Sequence, residues 1–159
     1  MTRWSAVRRL RSVSLLVMDC DGAITDGMLP GKRFNTKDGY GIRTLNIEKA
    51  IISGDTFDPD ILRVKHLGIG HVYIGVMNKW KAVKTLADKL GIDIRDVCYM
   101  GDDINDLECI RNCGVGVAVH DAVKEVRLAA DIVTKKPGGR GAVRELTDLI
   151  RRSKHENPC

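Results

Sequence analysis

Aromatic residues are scarce in this chain of 159 residues, at 4%, so its core must be packed from Ile, Val, Leu and Ala. No run approaches the roughly eighteen apolar residues of a membrane span, which excludes a helical membrane protein. No apolar stretch follows the first arginines, so no signal peptide is expected. The five cysteines (Cys20, Cys98, Cys109, Cys113 and Cys159) are odd in number and lack zinc-ribbon spacing. Free thiols in a reducing cytoplasm are the economical reading, with Cys109 and Cys113 on one helical face of the core. Aromatic stacking groups for a nucleic acid are missing as well. The net charge of +5 and pI near 9.0 therefore point elsewhere. Arg3, Arg8, Arg9 and Arg11 read as a solvated basic arm over residues 1–13, and a mildly positive field attracts an anionic substrate. No repeat, low-complexity tract or linker interrupts the chain, so 1–159 reads as one domain with a short tail at 154–159.

Short, wholly apolar runs alternate with helical patterns. Leu15–Met18, Ala50–Ile52, Val72–Ile74, Val97–Met100, Val115–Val119 and Ile132–Val133 suit strands buried on both faces. Between them, Trp80, Val83, Ala87 and Leu90 recur at helical spacing from Lys79 to Leu90, with Asn78 as N-cap and Gly91 as the stop. Asp121 is expected to cap a helix over Ala122–Ala130, and Gly141–Ser153 closes the chain as an amphipathic helix. This alternation predicts an α/β fold: a Rossmann-like open, mostly parallel sheet with helices on both faces. In such sheets a site lies beyond the carboxyl ends of the strands. Asp19 and Asp21 end the first strand, Ser53 the second; Lys79 follows the third, and Asp102 and Asp103 follow the fourth.

These residues carry a recognisable chemistry. Asp19 and Asp21, two residues apart, supply one carboxylate to attack phosphorus and another to protonate the leaving oxygen and then activate water. Gly22 and Gly27 let the backbone turn sharply beside them. Gly101-Asp102-Asp103-Ile104-Asn105-Asp106 adds further acids, and so many carboxylates together call for a divalent cation. An all-oxygen donor set favours Mg2+. Ser53 and Gly54 offer a hydroxyl and a permissive backbone to phosphate oxygens, and Lys79 offers them a charge. Taken singly, each of these has a plainer reading: a turn, an acidic helix N-terminus, a solvated lysine. Near the C-terminus, Lys135, Lys136, Arg140 and Arg144 surround Gly138-Gly139-Arg140-Gly141. The plain reading is a basic loop entering a helix. The alternative is a set of free backbone N–H groups facing an anion, with Arg140 on a substrate carboxylate.

In the order Asp-x-Asp, Ser, Lys, Gly-Asp-Asp, the chain resembles the haloacid dehalogenase superfamily over about Ser14 to Asp148. Phe34–Ile42 and Gly138–Glu145 narrow the resemblance to the 3-deoxy-manno-octulosonate 8-phosphate phosphatase family. That likeness implies a capless, magnesium-dependent phosphatase with a short β-hairpin after the first strand, acting on an eight- or nine-carbon sugar-acid phosphate of lipopolysaccharide or sialic-acid-type biosynthesis. It implies Asp19 as nucleophile and metal ligand, and Asp21 as acid/base and a metal ligand through its carbonyl. Ser53 and Lys79 would hold the phosphoryl group, and Asp102 would complete the metal site, with Asp103 and Asp106 orienting it. Thr36, Lys37, Asp38, Gly54, Asp55 and Arg140 would bind substrate. It also implies a homotetramer in which a hairpin and a neighbouring subunit close the site, without nucleic acid or membrane.

Three features depart from the family pattern. The hairpin has only Gly27 to Arg33 between Asp26 and Phe34, with Pro30-Gly31 as its turn. Only six residues, Gly41 to Asn46, precede the second strand, about 9 Å as a helix against roughly 16 Å for a five-residue strand. Asp55 stands where the octulosonate enzymes usually carry Arg, and an acid there repels a sugar carboxylate. A catalytically idle assembly module, known among relatives fused to cytidylyltransferases, is the alternative; the intact acidic motifs argue against it.

Overall fold

The computed structural model describes residues 3–29, 31–56 and 64–155. Pro30 of the expected hairpin turn, Cys159 and most of the expected tail lie outside these.

All six expected strands form: β1 (Leu15–Met18), β2 (Glu48–Ile52), β3 (His71–Tyr73), β4 (Val97–Gly101), β5 (Val115–Ala118) and β6 (Ile132–Val133). Every pairing is parallel, in the order β3-β2-β1-β4-β5-β6. β1, β4 and β5 are buried throughout, as wholly apolar sequences require, whereas β3 at the edge is only half-buried. Met18 lies level with Ile51 on one side and Met100 on the other. The ends of β1, β2 and β4 are thus flush, and Asp19, Ser53 and Asp102 emerge together. The sheet also changes direction here: from β1 the chain moves outward through β2 to β3, then returns to β4 on the opposite side. Crossovers then leave the gap at β1 and β4 uncovered, which is where such sheets place a site.

The helices lying wholly within the described residues are α1 (Arg3–Arg9), α2 (Thr36–Thr44), α3 (Lys79–Leu90), α4 (Leu107–Asn112), α5 (Lys124–Ala129) and α6 (Ala142–His155). α1 and α2 pack on α6; α3 packs on α4, and α4 on α5. Asn78 caps α3 by accepting the Lys81 N–H at 2.8 Å, and Gly91 ends it in the left-handed conformation, as the sequence indicates. α6 buries Val143, Leu146, Thr147 and Ile150 at helical spacing, one stripe facing α1, α2 and the Cys20–Ile24 turn.

Four expectations need correction. The N-terminal segment is not a solvated arm: α1 and the turn after it deliver Ala6, Leu10 and Val13 to the core, and Arg9 pairs with Asp131 at 2.6 Å and donates to the Gly114 carbonyl. A basic cluster hid a buried apolar face. The crossover from β1 to β2 is not trimmed to six residues either. Asn35 caps a helix that begins at Thr36, so nine residues span about 13.5 Å, close to the length of β2. Asp121 caps nothing: α5 starts at Lys124, and the Asp121 carboxylate instead accepts the Gly138 N–H at 2.9 Å. The core is not purely aliphatic, since Tyr99 is among its largest fully buried side chains.

Among the described residues the hairpin shows one antiparallel bridge, Thr25 with Phe34, reinforced by the Asp26 N–H to Arg33 carbonyl bond.

Candidate active site

β1 ends in a tight turn, Cys20–Ile24, in which Asp21 is extended and Gly22 takes φ +80°. A side chain on Gly22 would be strained there and would run into the Asp102 carboxylate, so glycine lets the β1 and β4 loops touch. Asp19, Asp21, Ser53, Gly54, Asp55 and Asn105 line a cleft of about 310 Å3. A second cleft of about 420 Å3 shares Asp19, Asp21 and Asn105 and adds Asp102, Asp103, Asp26 and Asp121.

Lys79 is not a solvated charge. It is buried, with Nζ 2.8 Å from Asp19 Oδ1 and 2.7 Å from Asp106 Oδ1. Burial alone would depress its pKa, but the Asp19 and Asp106 carboxylates outweigh that and raise it. Asp106 is the scaffold of the site. Its Oδ1 accepts from Lys79 and from the Tyr99 hydroxyl at 2.6 Å; its Oδ2 accepts the N–H groups of Asp102 and Asp103 at 3.0 and 3.2 Å. Asp103 caps the following turn by accepting the Ile104 N–H. Ser53 Oγ accepts the Asp55 N–H at 3.2 Å, which leaves the hydroxyl proton for an anion in the cleft.

Asp19, Asp102 and Asp106 place carboxylate oxygens within 4.8 Å of one another. Both Asp106 oxygens are already saturated by hydrogen bonds, so it is not a metal ligand. Asp102 Oδ1, in contrast, is buried without a donor among the described residues. Burial, then Asp19 and Asp106, push the Asp102 carboxyl up to about 8. Burial, reinforced by Asp106, raises Asp19 to about 6 against the pull of Lys79. A protein alone leaves this pair short of positive charge, and a hard divalent cation supplies it. The residues therefore fit magnesium, which the Asp19 and Asp102 side chains would hold.

The remaining expected substrate residues separate. Gly54 and Asp55 line the cleft. Thr36 and Asp38 line a different hollow with Phe34 and Tyr40, and Lys37 is exposed on α2. Asp38 is buried and accepts the Gly141 and Arg144 N–H groups at 3.1 and 2.7 Å. It caps α6 from α2, and Gly41 lets the two helices approach, since a methyl there would strike Thr147. The two segments that carry the narrow family likeness thus dock on each other.

The Gly-rich segment is not an anion cradle. The N–H of Gly138 goes to Asp121, of Gly139 to the Ala23 carbonyl, of Arg140 to the Pro137 carbonyl, and of Gly141 to Asp38. Its glycines instead allow it to lie against the Gly22–Asp26 backbone, which it supports from behind. The Arg140 side chain is exposed, and its charge helps lower the Asp26 pKa after the dominant Arg33 N–H bond.

Two residues of the site escaped the sequence reading of roles. Asn105 lines both clefts, and only its place in the acidic run hinted at it. Lys32 puts Nζ 2.7 Å from Asp21 Oδ1 and 3.5 Å from Asp55 Oδ2, so the acid in place of Arg is countered. Nothing local marks that lysine.

Comparison with known proteins accords with this geometry. The haloacid dehalogenase-like hydrolase family matches residues 51–146. The 3-deoxy-D-manno-octulosonate 8-phosphate phosphatase of Escherichia coli K12 is 41% identical over 154 residues, 91% of this chain and 82% of that one. The Salmonella typhi enzyme of the same name is 42% identical over 152 residues, 89% and 81% of the two chains. The Moraxella catarrhalis phosphatase, crystallised with magnesium, phosphate and KDO, superposes with a TM-score of 0.91 at 34% identity, covering 94% of this chain and 92% of its own. A cobalt-bound Haemophilus influenzae phosphatase gives 0.87 at 33% identity, covering 92% and 91%.

Proposed function

The chain belongs to the haloacid dehalogenase-like hydrolases and within them to the 3-deoxy-manno-octulosonate 8-phosphate phosphatases, and on that premise we propose that it hydrolyses a phosphorylated sugar acid of that type with magnesium. One observation carries the proposal: Asp19, a buried carboxylate at a strand end, lies between the Lys79 ammonium and Asp102, with Asp21 and Ser53 in the same cleft.

Asp19 attacks phosphorus, the bond from phosphorus to the sugar oxygen breaks, and Asp21 gives that oxygen its proton. Water then attacks the aspartyl-phosphate and yields its proton to Asp21. The bond from phosphorus to Asp19 breaks, and inorganic phosphate leaves. Lys79 aligns Asp19 and offers charge to the phosphoryl oxygens, which the Ser53 hydroxyl also contacts. Magnesium, when bound, neutralises the carboxylates and the transferring charge. Lys32 offsets Asp55, so an acid at that position is compatible with an eight-carbon sugar acid.

A homo-oligomer, tetrameric as in the family, is part of this reading. Met28, Leu29 and Met77 are exposed, at 63%, 79% and 91%, at the reduced hairpin and the cleft, where a second copy can cover them. Residence in the cytoplasm rests on the four described cysteines, all buried thiols outside any disulfide. No helix among the described residues is long and apolar enough to cross a membrane.

The test is phosphate release from eight- and nine-carbon sugar-acid phosphates, with magnesium or with excess chelator, by wild type and Asp19→Asn. Activity is expected only for wild type with magnesium. Full turnover in chelator, or in Asp19→Asn, would overturn the reading.

A further inference from the structure

Lys32 lies on the returning arm of the reduced hairpin, where a lysine is ordinarily solvated. Here its side chain is only 11% exposed, less than either partner, Asp21 at 32% or Asp55 at 42%. The arm that carries it is pinned next door. Asp26 Oδ1 accepts the Met28 and Arg33 N–H groups at 3.2 and 3.1 Å, the Asp26 N–H bonds the Arg33 carbonyl, and Phe34 bridges Thr25. With seven residues between Asp26 and Phe34, there is little chain to swing. The ammonium is therefore delivered to Asp21 by backbone that is itself tied to the Asp21 turn.

Asp21 needs such a restraint. It stands at the cleft rim, a third exposed, on a stretch of extended backbone before Gly22. Within its own turn the one side-chain hydrogen bond is a long one, from Thr25 Oγ1 to Oδ1 at 3.5 Å. A short carboxylate with so few contacts samples several rotamers, and each unproductive one costs rate. Lys32 engages Oδ1 at 2.7 Å, the same oxygen, which leaves Oδ2 to face the leaving oxygen and later the water. Asp55 draws the ammonium from the opposite side of the cleft at 3.5 Å, so the lysine spans the two loops.

We propose that Lys32 is a positioning residue for Asp21, with Asp55 as the strut that holds the lysine in place. This rests on the acid/base role given to Asp21 above. Lys32 transfers no proton; it fixes the carboxyl that does.

The test compares phosphoryl transfer from 3-deoxy-octulosonate 8-phosphate, whose alkoxide must be protonated on leaving, with transfer from 4-nitrophenyl phosphate, whose phenolate leaves unaided. Phosphoenzyme formation by rapid quench, with magnesium present, is the readout. Lys32→Met is expected to slow transfer from the sugar phosphate by about 10–100-fold, part of what a general acid contributes, and transfer from the aryl phosphate by less than about twofold. Lys32→Arg should recover most of the loss. Asp55→Asn should show a smaller loss with the same leaving-group bias. In an Asp21→Asn background, Lys32→Met should add less than about twofold, because the two act as one unit. Equal slowing with both substrates, or a full additive loss in the double variant, would overturn the positioning role and leave the phosphatase reading intact. Wild-type transfer from the sugar phosphate by Asp21→Asn alone would instead remove the acid/base role, and the Lys32 proposal with it.

Discussion

Replacing Asp106 by Asn should destabilise the metal-free protein, although Asp106 belongs to a crowded cluster of carboxylates. Its two oxygens accept four hydrogen bonds: from Lys79 at 2.7 Å, Tyr99 at 2.6 Å, Asp102 N–H at 3.0 Å and Asp103 N–H at 3.2 Å. An amide keeps one oxygen and turns an NH2 group toward either the Lys79–Tyr99 pair or the backbone pair. Two donors are then left facing a donor, in a place with no access to water. Each lost bond involving a charged group is worth about 1.5–3 kcal/mol. Lys79 keeps Asp19, so the ion pair is weakened rather than abolished. The net loss should be about 3–5 kcal/mol, within the range for breaking a buried pair. For a chain of this size that lowers the melting temperature by about 6–20 °C. Thermal and urea unfolding in excess chelator, repeated in magnesium, measures it. If Asp106 were a metal ligand, relief of charge repulsion would stabilise the metal-free protein, and the variant would lose only the gain that magnesium brings. A stability equal to or above wild type in chelator would refute the scaffold argument.

Stability should also depend on pH in a way that metal removes. Asp19 near 6 and Asp102 near 8 both lie above the ordinary carboxylate value, so the native state holds more protons than the unfolded one across that range. The contribution is fully present below about pH 4 and is lost as pH rises through about 6 and then about 8. Metal-free protein should therefore become less stable from pH 6 to 8.5, and magnesium should flatten the slope. Stability rising over that interval without metal would contradict the assignment. Magnesium binding at pH 7 should release roughly one proton, seen as a dependence of binding heat on buffer ionisation enthalpy. Arg140→Ala should raise KM for a sugar-acid phosphate about tenfold or more with little change in kcat, and leave an aryl phosphate unaffected. Equal damage to both substrates would assign Arg140 to the loop it sits on instead.

Much of the fold was legible because its signals are local. Wholly apolar runs suit strands buried on both faces, as β1, β4 and β5 are, and this signal placed all six strands; Asn78 and Gly91 bounded α3 through their own backbone geometry. Strand ends placed Asp19, Asp21, Ser53, Lys79 and Asp102 together by topology alone. α1 was missed because four arginines outweighed Ala6, Leu10 and Val13 in a reading by charge.

The sequence by itself determined where the candidate site lies: an Asp-x-Asp at the end of one strand, and a serine, a lysine and an acidic loop that recur at the ends of the others. The tertiary structure alone decided what surrounds each. Asp106 and Asp102 lie in one acidic run, yet four donors saturate the first, while the second keeps a buried oxygen without a donor among the described residues. Asp38 and the backbone N–H groups of the Gly-rich segment looked like ligand contacts and proved to be contacts between α2, α6 and the Asp21 turn, made across about a hundred residues of chain. Lys32 reached Asp21 and Asp55 only when three loops met. Composition and periodicity report what a residue prefers within a few positions of itself. Hydrogen-bond saturation and charge balance are properties of the assembled site, and they become visible when distant segments share one small volume.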